Sequence, residues 1–252
     1  MRRAERFVHL HVHGEYSLLD GAIRVSSSRF GRSLSRHVKS LGMNEVALTD
    51  HGNMCGALEF YRDARKEGMK AILGMEAYLA TGGRAERNSR IGEAAHLTLL
   101  AKDEKGYRNL VRLSSLAHEE GFHYRARIDR ELLARYHEGL IVLSGCMKGE
   151  LSRLLLEGRA EEAERIAGWY RELLGEGRYF LEIQDHGLPE QKGLVRSLLE
   201  LGRKTGIPAV VTNDATTSGA RTPWRTTYSS ASRQGRTCRT PTGCASRPPS
   251  ST

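Results

Sequence analysis

The sequence predicts an α/β protein made of repeated β-α units around a mostly parallel sheet, closed as a barrel or doubly wound. Two observations carry this reading. Up to Asp214, short β-branched or apolar runs alternate with longer amphipathic stretches, the pattern that places helices between neighbouring parallel strands. With 252 residues, 39% of them hydrophobic, the chain can bury one substantial core or two small ones.

Seven strands are expected, at residues 7–12, 45–49, 71–78, 96–101, 140–144, 179–183 and 208–212. Helices are expected at 57–67, 104–118 and 161–174, where apolar residues recur at three- and four-residue spacing. The Ser-rich stretch 25–40, VSSSRFGRSLSRHVKS, lacks the broad apolar stripe of a barrel helix and is expected to be a helix with a ragged start.

No apolar run approaches the roughly 20 residues needed to cross a bilayer. The first residues, MRRAERFVHLHVH, turn polar and His-rich where a signal peptide would be apolar. A cytoplasmic location with no membrane partner is the expectation. The formal charge is +9, but six arginines after Asp214, with no acid among them, contribute most of it. The rest of the chain is mildly basic, which is compatible with a nucleic-acid partner without requiring one. Cys55 and Cys146 lie in the body, Cys238 and Cys244 beyond it. Nothing in that spacing forms a disulfide framework, and a metal-binding thiol suits a reducing compartment better.

The strongest chemical signal is His11-Val12-His13 at the end of the first strand. Residues two apart on a strand project from one face and can grip one metal ion together. His9 shares that face one rung deeper. A lone strand histidine is more often a satisfied core or surface group, but here an acid, Asp20, follows the pair. By itself Asp20 reads as a turn residue before Gly21.

ALTDHGN runs from an apolar strand straight into Asp50, His51 and Gly52. Ligand-binding groups of α/β barrels sit at strand carboxyl ends, which is where His51 falls. Asp50 is placed to orient a ligating histidine; a helix cap is its plainer role. Glu76 ends one strand, His96 opens the next, Cys146 follows the fifth and Asp214 the last. Singly these read as a surface acid, a core histidine and an inert thiol. Jointly, imidazoles, carboxylates and a thiol on one rim suit Zn²⁺, Mn²⁺ or Fe²⁺ better than Mg²⁺ or Ca²⁺, which prefer oxygen. Glu182, Asp185 and His186 crowd another strand end and are expected to line the pocket without binding metal. His37, His118, His123 and His137 have no partner at ligand spacing and are expected in solvent.

The segments FVHLHVHGEYSLLDG, VALTDHGNMCGALEFYRDARKEGMKAILGMEAY, HLTLLAKDEKGYRNL, LIVLSGCMKGEL, YFLEIQDHGLPEQ and VVTND closely resemble the PHP (polymerase and histidinol phosphatase) domain of bacterial DNA polymerase III alpha subunits. The match covers residues 7–214. ALTDHGNM together with GYRNL and SGC is more specific than a bare His-X-His. The resemblance implies a distorted seven-stranded β/α (TIM-like) barrel, here incomplete at its C-terminal end. It implies that His11, His13, Asp20, His51, Glu76, His96, Cys146 and Asp214 hold up to three divalent ions, with Asp20, His51 and Glu76 carrying the chemistry. The family's last motif has a histidine two residues after its acid, where this chain has Thr216.

By the same resemblance, the activity expected is metal-dependent 3′–5′ exonucleolytic phosphoester cleavage. The polymerase parts would lie beyond residue 252, and the partners would be the DNA primer 3′ end and other replicase subunits, including a proofreading exonuclease. Two other readings stand beside it: a free-standing phosphatase of the histidinol-phosphate type, and a non-catalytic structural barrel.

Residues 215–252 differ in composition, being rich in Thr, Ser, Arg and Pro with few aliphatic residues to bury. Such a segment cannot offset its ordering entropy, so a domain over 1–214 and a disordered tail are expected. A sharper hypothesis follows from the abruptness of the change. With one nucleotide restored after the Ala215 codon, permitted codon choices spell HYLRREDAVAHDVLLCIQTG, which has helical periodicity and resembles the family's continuation. The tail would then be a frame-shifted, non-native segment. Sequencing the genomic DNA across this codon should show the disrupted frame; an intact frame there removes the idea.

Overall fold

A computed structural model of the chain describes residues 7–18, 20–27, 32–87 and 94–216. The strands are β1 (Glu45–Leu48), β2 (Lys70–Leu79), β3 (Ala95–Ala101), β4 (Arg127–Ile128), β5 (Leu140–Leu143), β6 (Tyr179–Ile183) and β7 (Ala209–Val211). They form one curled sheet in the order β1-β2-β3-β5-β6-β7, with β4 paired to the end of β2. Only β3 runs against its neighbours; the β1–β2, β2–β4, β5–β6 and β6–β7 pairs are parallel. The result is an α/β mixed sheet curled into an incomplete TIM-like barrel, the fold class expected.

The strand count agrees with the sequence by an exchange. Residues 7–12 form no continuous strand. Instead, isolated bridges join His9 to Val46 and Val12 to Ala215. Ala47 and Thr49 N–H groups donate to the His9 and Val12 carbonyls, while Ala215 N–H donates to that of His11. The segment thus spans the gap between the two ends of the sheet. Its ladder is interrupted because the Val12 N–H goes to the Thr49 hydroxyl, at 2.9 Å, rather than to a carbonyl. The short β4, with only two residues, carries too little pattern for the sequence to reveal it.

The helices are α1 (Leu34–Ser40), α2 (Ala57–Lys66), α3 (Glu104–Glu119), α4 (Arg130–Tyr136), α5 (Glu150–Leu156), α6 (Ala160–Leu174) and α7 (Pro189–Thr205). Short polar side chains set several starts. Ser33, Asp103 and Asp129 cap α1, α3 and α4 by accepting the N–H of Arg36, Gly106 and Leu132. Pro189 opens α7 and Gly206, in the left-handed region, closes it. The Ser-rich 25–40 stretch resolves into α1 from Leu34 onward; residues 28–31 lie outside the described residues. Its narrow stripe suffices because Leu34, Ser35 and Val38 are its only buried positions.

The main core joins the outer face of β2, β3, β5 and β6 to α3, α4, α5 and α6, through Leu97, Leu99, Leu110, Leu113 and Leu132 among others. Each such leucine contributes about 1.5–3 kcal/mol by leaving water. A second cluster packs Val12, Val46, Phe60 and Ala215. Inside the curl, Ala47, Leu100 and Leu143 pack with Ile72, Phe180 and Val210. Because strand side chains alternate, Ile72 shares its face with Glu76, Leu100 with Thr98 and His96, and Phe180 with Glu182. The interior is therefore apolar at one end and polar at the other. Ala215 is fully buried and Thr216 is 2% exposed, so these first two residues of the compositional tail pack in the fold. Residues 217–252 lie outside the described residues.

Asp129 also ties the segment after β2 to α4. Both its carboxylate oxygens meet the Arg84 guanidinium, at 2.9 and 3.1 Å, and it accepts the Arg84 backbone N–H. Burial works to raise its pKa, but the Leu132 and Arg84 donors outweigh that and hold it below the usual range. A lowered folded-state pKa gives stability that is present above the unfolded value, about 3.9, and is lost as pH falls through the folded one. Asp129→Asn keeps a capping side chain but loses the charge. It should cost about 1 kcal/mol at neutral pH, and urea denaturation should show the deficit shrinking as pH drops below about 4.

Candidate metal centre

The polar end of the curl is built from residues that seven separate segments deliver, the segment after β7 bringing Asp214. The segment before Gly14 brings His11 and His13, the turn after it Asp20, the end of β1 Asp50 and His51, and β2 Glu76. Because β3 is antiparallel, His96, the second residue of the strand, stands on the same rim where its neighbours end. The turn after β5 brings Cys146 through Gly145, which has φ +84° and approaches His96 so closely that a Cβ would lie 2.2 Å from its carbonyl oxygen.

Glu76 is at the centre and 1% exposed. Its Oε1 lies 2.8 Å from His96 Nδ1 and 3.3 Å from His11 Nε2; its Oε2 lies 2.6 Å from His51 Nδ1 and 3.4 Å from His13 Nε2. Asp214 Oδ1 lies 3.1 Å from His13 Nε2 and 3.6 Å from His11 Nε2. Asp20 Oδ2 lies 3.2 Å from His51 Nε2. The Cys146 thiol is 3.7 Å from Glu76 Oε1 and 3.8 Å from His96 Nδ1. All eight residues singled out in the sequence therefore stand around one mouth.

Groups outside this set fix the histidine tautomers. Glu182 Oε1 lies 2.6 Å from His11 Nδ1, and a carboxylate there requires the proton on Nδ1, so the neutral ring presents its Nε2 lone pair to Glu76 and Asp214. Glu182 is held in turn by the hydroxyls of Thr98 and Thr212 and the amide of Gln184. Ser17 donates its single proton to Asp50 Oδ1, 2.8 Å away, so its oxygen must accept from His13 Nδ1 and from the His51 N–H. Asp50 thus acts on His13 through Ser17 rather than by touching an imidazole. The sequence singled out Asp50 and Glu182 but not Ser17 or Thr98. Thr98, two residues after His96 on the same strand face, carried a legible signal; Ser17 carried none.

His11 Nε2 and His13 Nε2 lie 3.1 Å apart and both face carboxylates, so a positive charge is drawn between them; although burial opposes it, Glu182, Asp214 and Glu76 raise the His11 pKa well above its usual value. His51 Nδ1 and Glu76 Oε2 are buried and 2.6 Å apart, in an alignment that does not meet hydrogen-bond geometry and suits two ligand atoms turned towards a shared cation. Three groups have ligand atoms within 4.8 Å of one another: His11, His13 and Asp214; His13, Asp20 and His51; and His51, Glu76 and His96. His13 and His51 each belong to two, so the groups form one continuous set. Its nitrogen, oxygen and sulfur donors fit a borderline divalent metal.

The electrostatics show a mouth that draws positive charge. Burial disfavours the charged form of His51, but Glu76 and Asp20 overcome it and lift its pKa to about 10. Burial likewise opposes ionisation of Glu76 and Asp214, yet facing imidazoles hold both below the usual carboxylate range. Burial, together with Glu76 and Asp214, pushes the Cys146 thiol well up.

The remaining candidates lie apart from the cluster. His186 and Gln191 brace the Asn213 carbonyl just before Asp214, and Asp185 accepts the Gly187 N–H. His9 is buried with its pKa lowered to about 4 by burial and by His37. His118 is exposed as expected, but His37, His123 and His137 are half-buried rather than fully in solvent. No helix among the described residues is long and apolar enough to cross a membrane.

Comparison with known proteins accords with this geometry. The PHP domain family model matches residues 9–186. The chain is 53% identical over 210 residues to a DNA polymerase III subunit alpha from Treponema pallidum, covering 82% of this chain and 17% of that protein. It is 42% identical over 212 residues to one from Borreliella burgdorferi, covering 83% of this chain and 18% of that protein. The chain thus spans less than a fifth of the length of these curated relatives. Among solved structures, an amidohydrolase from Chromobacterium violaceum shares the fold with a TM-score of 0.51 at 14% identity, over 84% of this chain and 88% of that one. Matched over most of its length, the chain belongs to the PHP domain family.

Proposed function

We propose that the chain is the PHP domain of a bacterial DNA polymerase III alpha subunit and that its mouth is a divalent-cation site hydrolysing phosphoesters at DNA 3′ ends. The observation that carries this reading is the convergence of His11, His13, His51 and His96 on Glu76, with Asp214 beside the first pair. His11, His13 and Asp214 would hold one cation; His13, Asp20 and His51 a second; His51, Glu76 and His96, with Cys146 adjacent, a third. Zn²⁺, Mn²⁺ or Fe²⁺ suits these donors. When bound, such ions supply charge neutralisation at phosphate oxygens and acidify water.

The chain's own groups divide the remaining work. Glu76, buried and shared, keeps the four imidazoles facing one point. Asp20 has a side chain 27% exposed and abuts His51 Nε2, so a proton arriving at its Oδ2 can be shared with the imidazole. The apolar floor of Leu100, Leu143 and Phe180 keeps water from entering beneath. Thr216 occupies the place where the family resemblance expects a histidine, and its carbonyl accepts the Ala22 N–H. A replicase setting, with DNA and other polymerase subunits as partners in the cytoplasm, is part of the same proposal and is supported by the names of the relatives.

Three outcomes follow. Elemental analysis of purified protein should find divalent metal, with Glu76→Ala losing more of it than Asp20→Ala, since Glu76 meets four imidazoles and Asp20 one; parent-like content in Glu76→Ala contradicts the proposal. The chain should shorten single-stranded DNA from its 3′ end faster than it hydrolyses small phosphomonoesters. Thr216→His should raise that rate roughly tenfold by completing the ligand set. Preference for phosphomonoesters would favour a phosphatase instead, and inertness towards both a structural barrel.

A further inference from the structure

Residues 121–126, between α3 and β4, form a loop that is rigidly braced and yet exposes two aromatic rings. Arg127 is 3% exposed and directs its guanidinium to the backbone carbonyls of Gly121, Arg84 and Glu86, at 3.0, 3.1 and 2.7 Å. Gly121 lies so close to Arg127 that a Cβ would sit 1.9 Å from its carbonyl oxygen. Across the tip, the His123 N–H donates to the Arg125 carbonyl, which drives Tyr124 to φ +61°. Among the described residues, only Tyr124 and Asp214 are non-glycine residues with positive φ. Asp214 belongs to the candidate metal centre, and such strain persists where surrounding structure imposes it, often at functional sites.

This fixed turn holds Phe122 and Tyr124 each 57% exposed. Next to them, the Arg125 guanidinium lies 5.6 Å from the centre of the Tyr78 ring. Tyr78 stacks on His51 at 5.5 Å and meets His96 edge-on at 5.2 Å. Arg125 is thus one ring away from the histidines of the mouth. Carboxylates already engage Arg84, Arg130 and Arg159, but among the described residues none lies within ion-pair distance of Arg125. A guanidinium without a carboxylate partner beside two presented aromatic rings matches an anionic backbone carrying flat bases.

We propose that residues 121–126 are a docking station for an unpaired nucleic-acid end, with a base stacked on Tyr124 or Phe122 and a backbone phosphate on Arg125. The proposal rests on the phosphoesterase reading of the mouth and adds how the strand is held there. A rigid loop suits this task, because little ordering entropy is lost when the strand binds.

The test uses the full chain and a short fluorescent oligothymidylate with a hydrolysis-resistant phosphorothioate at its 3′ end, read by anisotropy across a salt series. Tyr124→Gly removes the ring but suits the left-handed backbone, so thermal stability should hold or rise while affinity falls at least about fivefold. Arg125→Ala should weaken binding and reduce the slope of log affinity against log salt by about 0.7. Metal content should match the parent in both variants. If both bind the oligonucleotide as the parent does while the parent cleaves DNA, the docking proposal alone is overturned and the loop is better read as a surface for another protein segment. If the parent neither binds nor cleaves single-stranded DNA, the phosphoesterase reading fails, and the docking proposal with it.

Discussion

The carboxylate of Glu76 is the point on which the polar half of this fold is organised. Four imidazoles from three different segments approach its two oxygens within 3.4 Å, and the carboxylate is almost wholly buried. An isolated carboxylate buried to that degree would be strongly disfavoured. The surrounding structure makes it tolerable by surrounding it with nitrogen donors, and those donors in turn are tolerable only because Glu182, Ser17 and Asp20 fix or share their protons. Remove the central charge and the imidazoles lose their common target. Positive charge, carried by protons on the imidazoles or by a bound cation, is what this cluster of facing carboxylates and imidazoles requires.

The fold serves that point by geometry that is simple in outline. Parallel strands end on one rim, so residues placed after β1 and β5 arrive there without special design. The single antiparallel strand is what allows His96, at the start of β3, to join them. The segment carrying His11 and His13 enters between the two ends of the curled sheet, where Ala215 binds it on one side and β1 on the other. Closure of the curl and assembly of the site are therefore the same event, and loss of packing around Ala215 would loosen both.

Much of this was legible in the sequence. His11 and His13 declared themselves by spacing, and His51, Cys146 and Asp214 by standing where strands end. Glu76 and His96 were individually ambiguous, and only the shared rim lent them weight. What the sequence could not reveal was relational. Ser17 is an ordinary turn serine until its hydroxyl is seen bridging Asp50, His13 and His51. Glu182 was read as pocket lining, although its position opposite His11 gives it a definite partner. The first strand was expected as a ladder but became two isolated bridges, because the Thr49 hydroxyl takes the Val12 N–H, and no local pattern encodes that choice. The two-residue β4 was too short to carry a period.

The braced turn near the mouth illustrates the same limit. FHYRAR reads as an unremarkable loop until Arg127 is seen tying it down and Arg125 is seen above Tyr78. The central claim, that one mouth holds divalent cations, is tested most directly by anomalous X-ray scattering from crystals of the chain, collected across transition-metal absorption edges. The account predicts peaks about 2.0–2.3 Å from nitrogen, oxygen or sulfur atoms of His11, His13, His51, Glu76, His96 and Asp214. Crystals soaked in Zn²⁺ or Mn²⁺ that show no peak among these residues would contradict it.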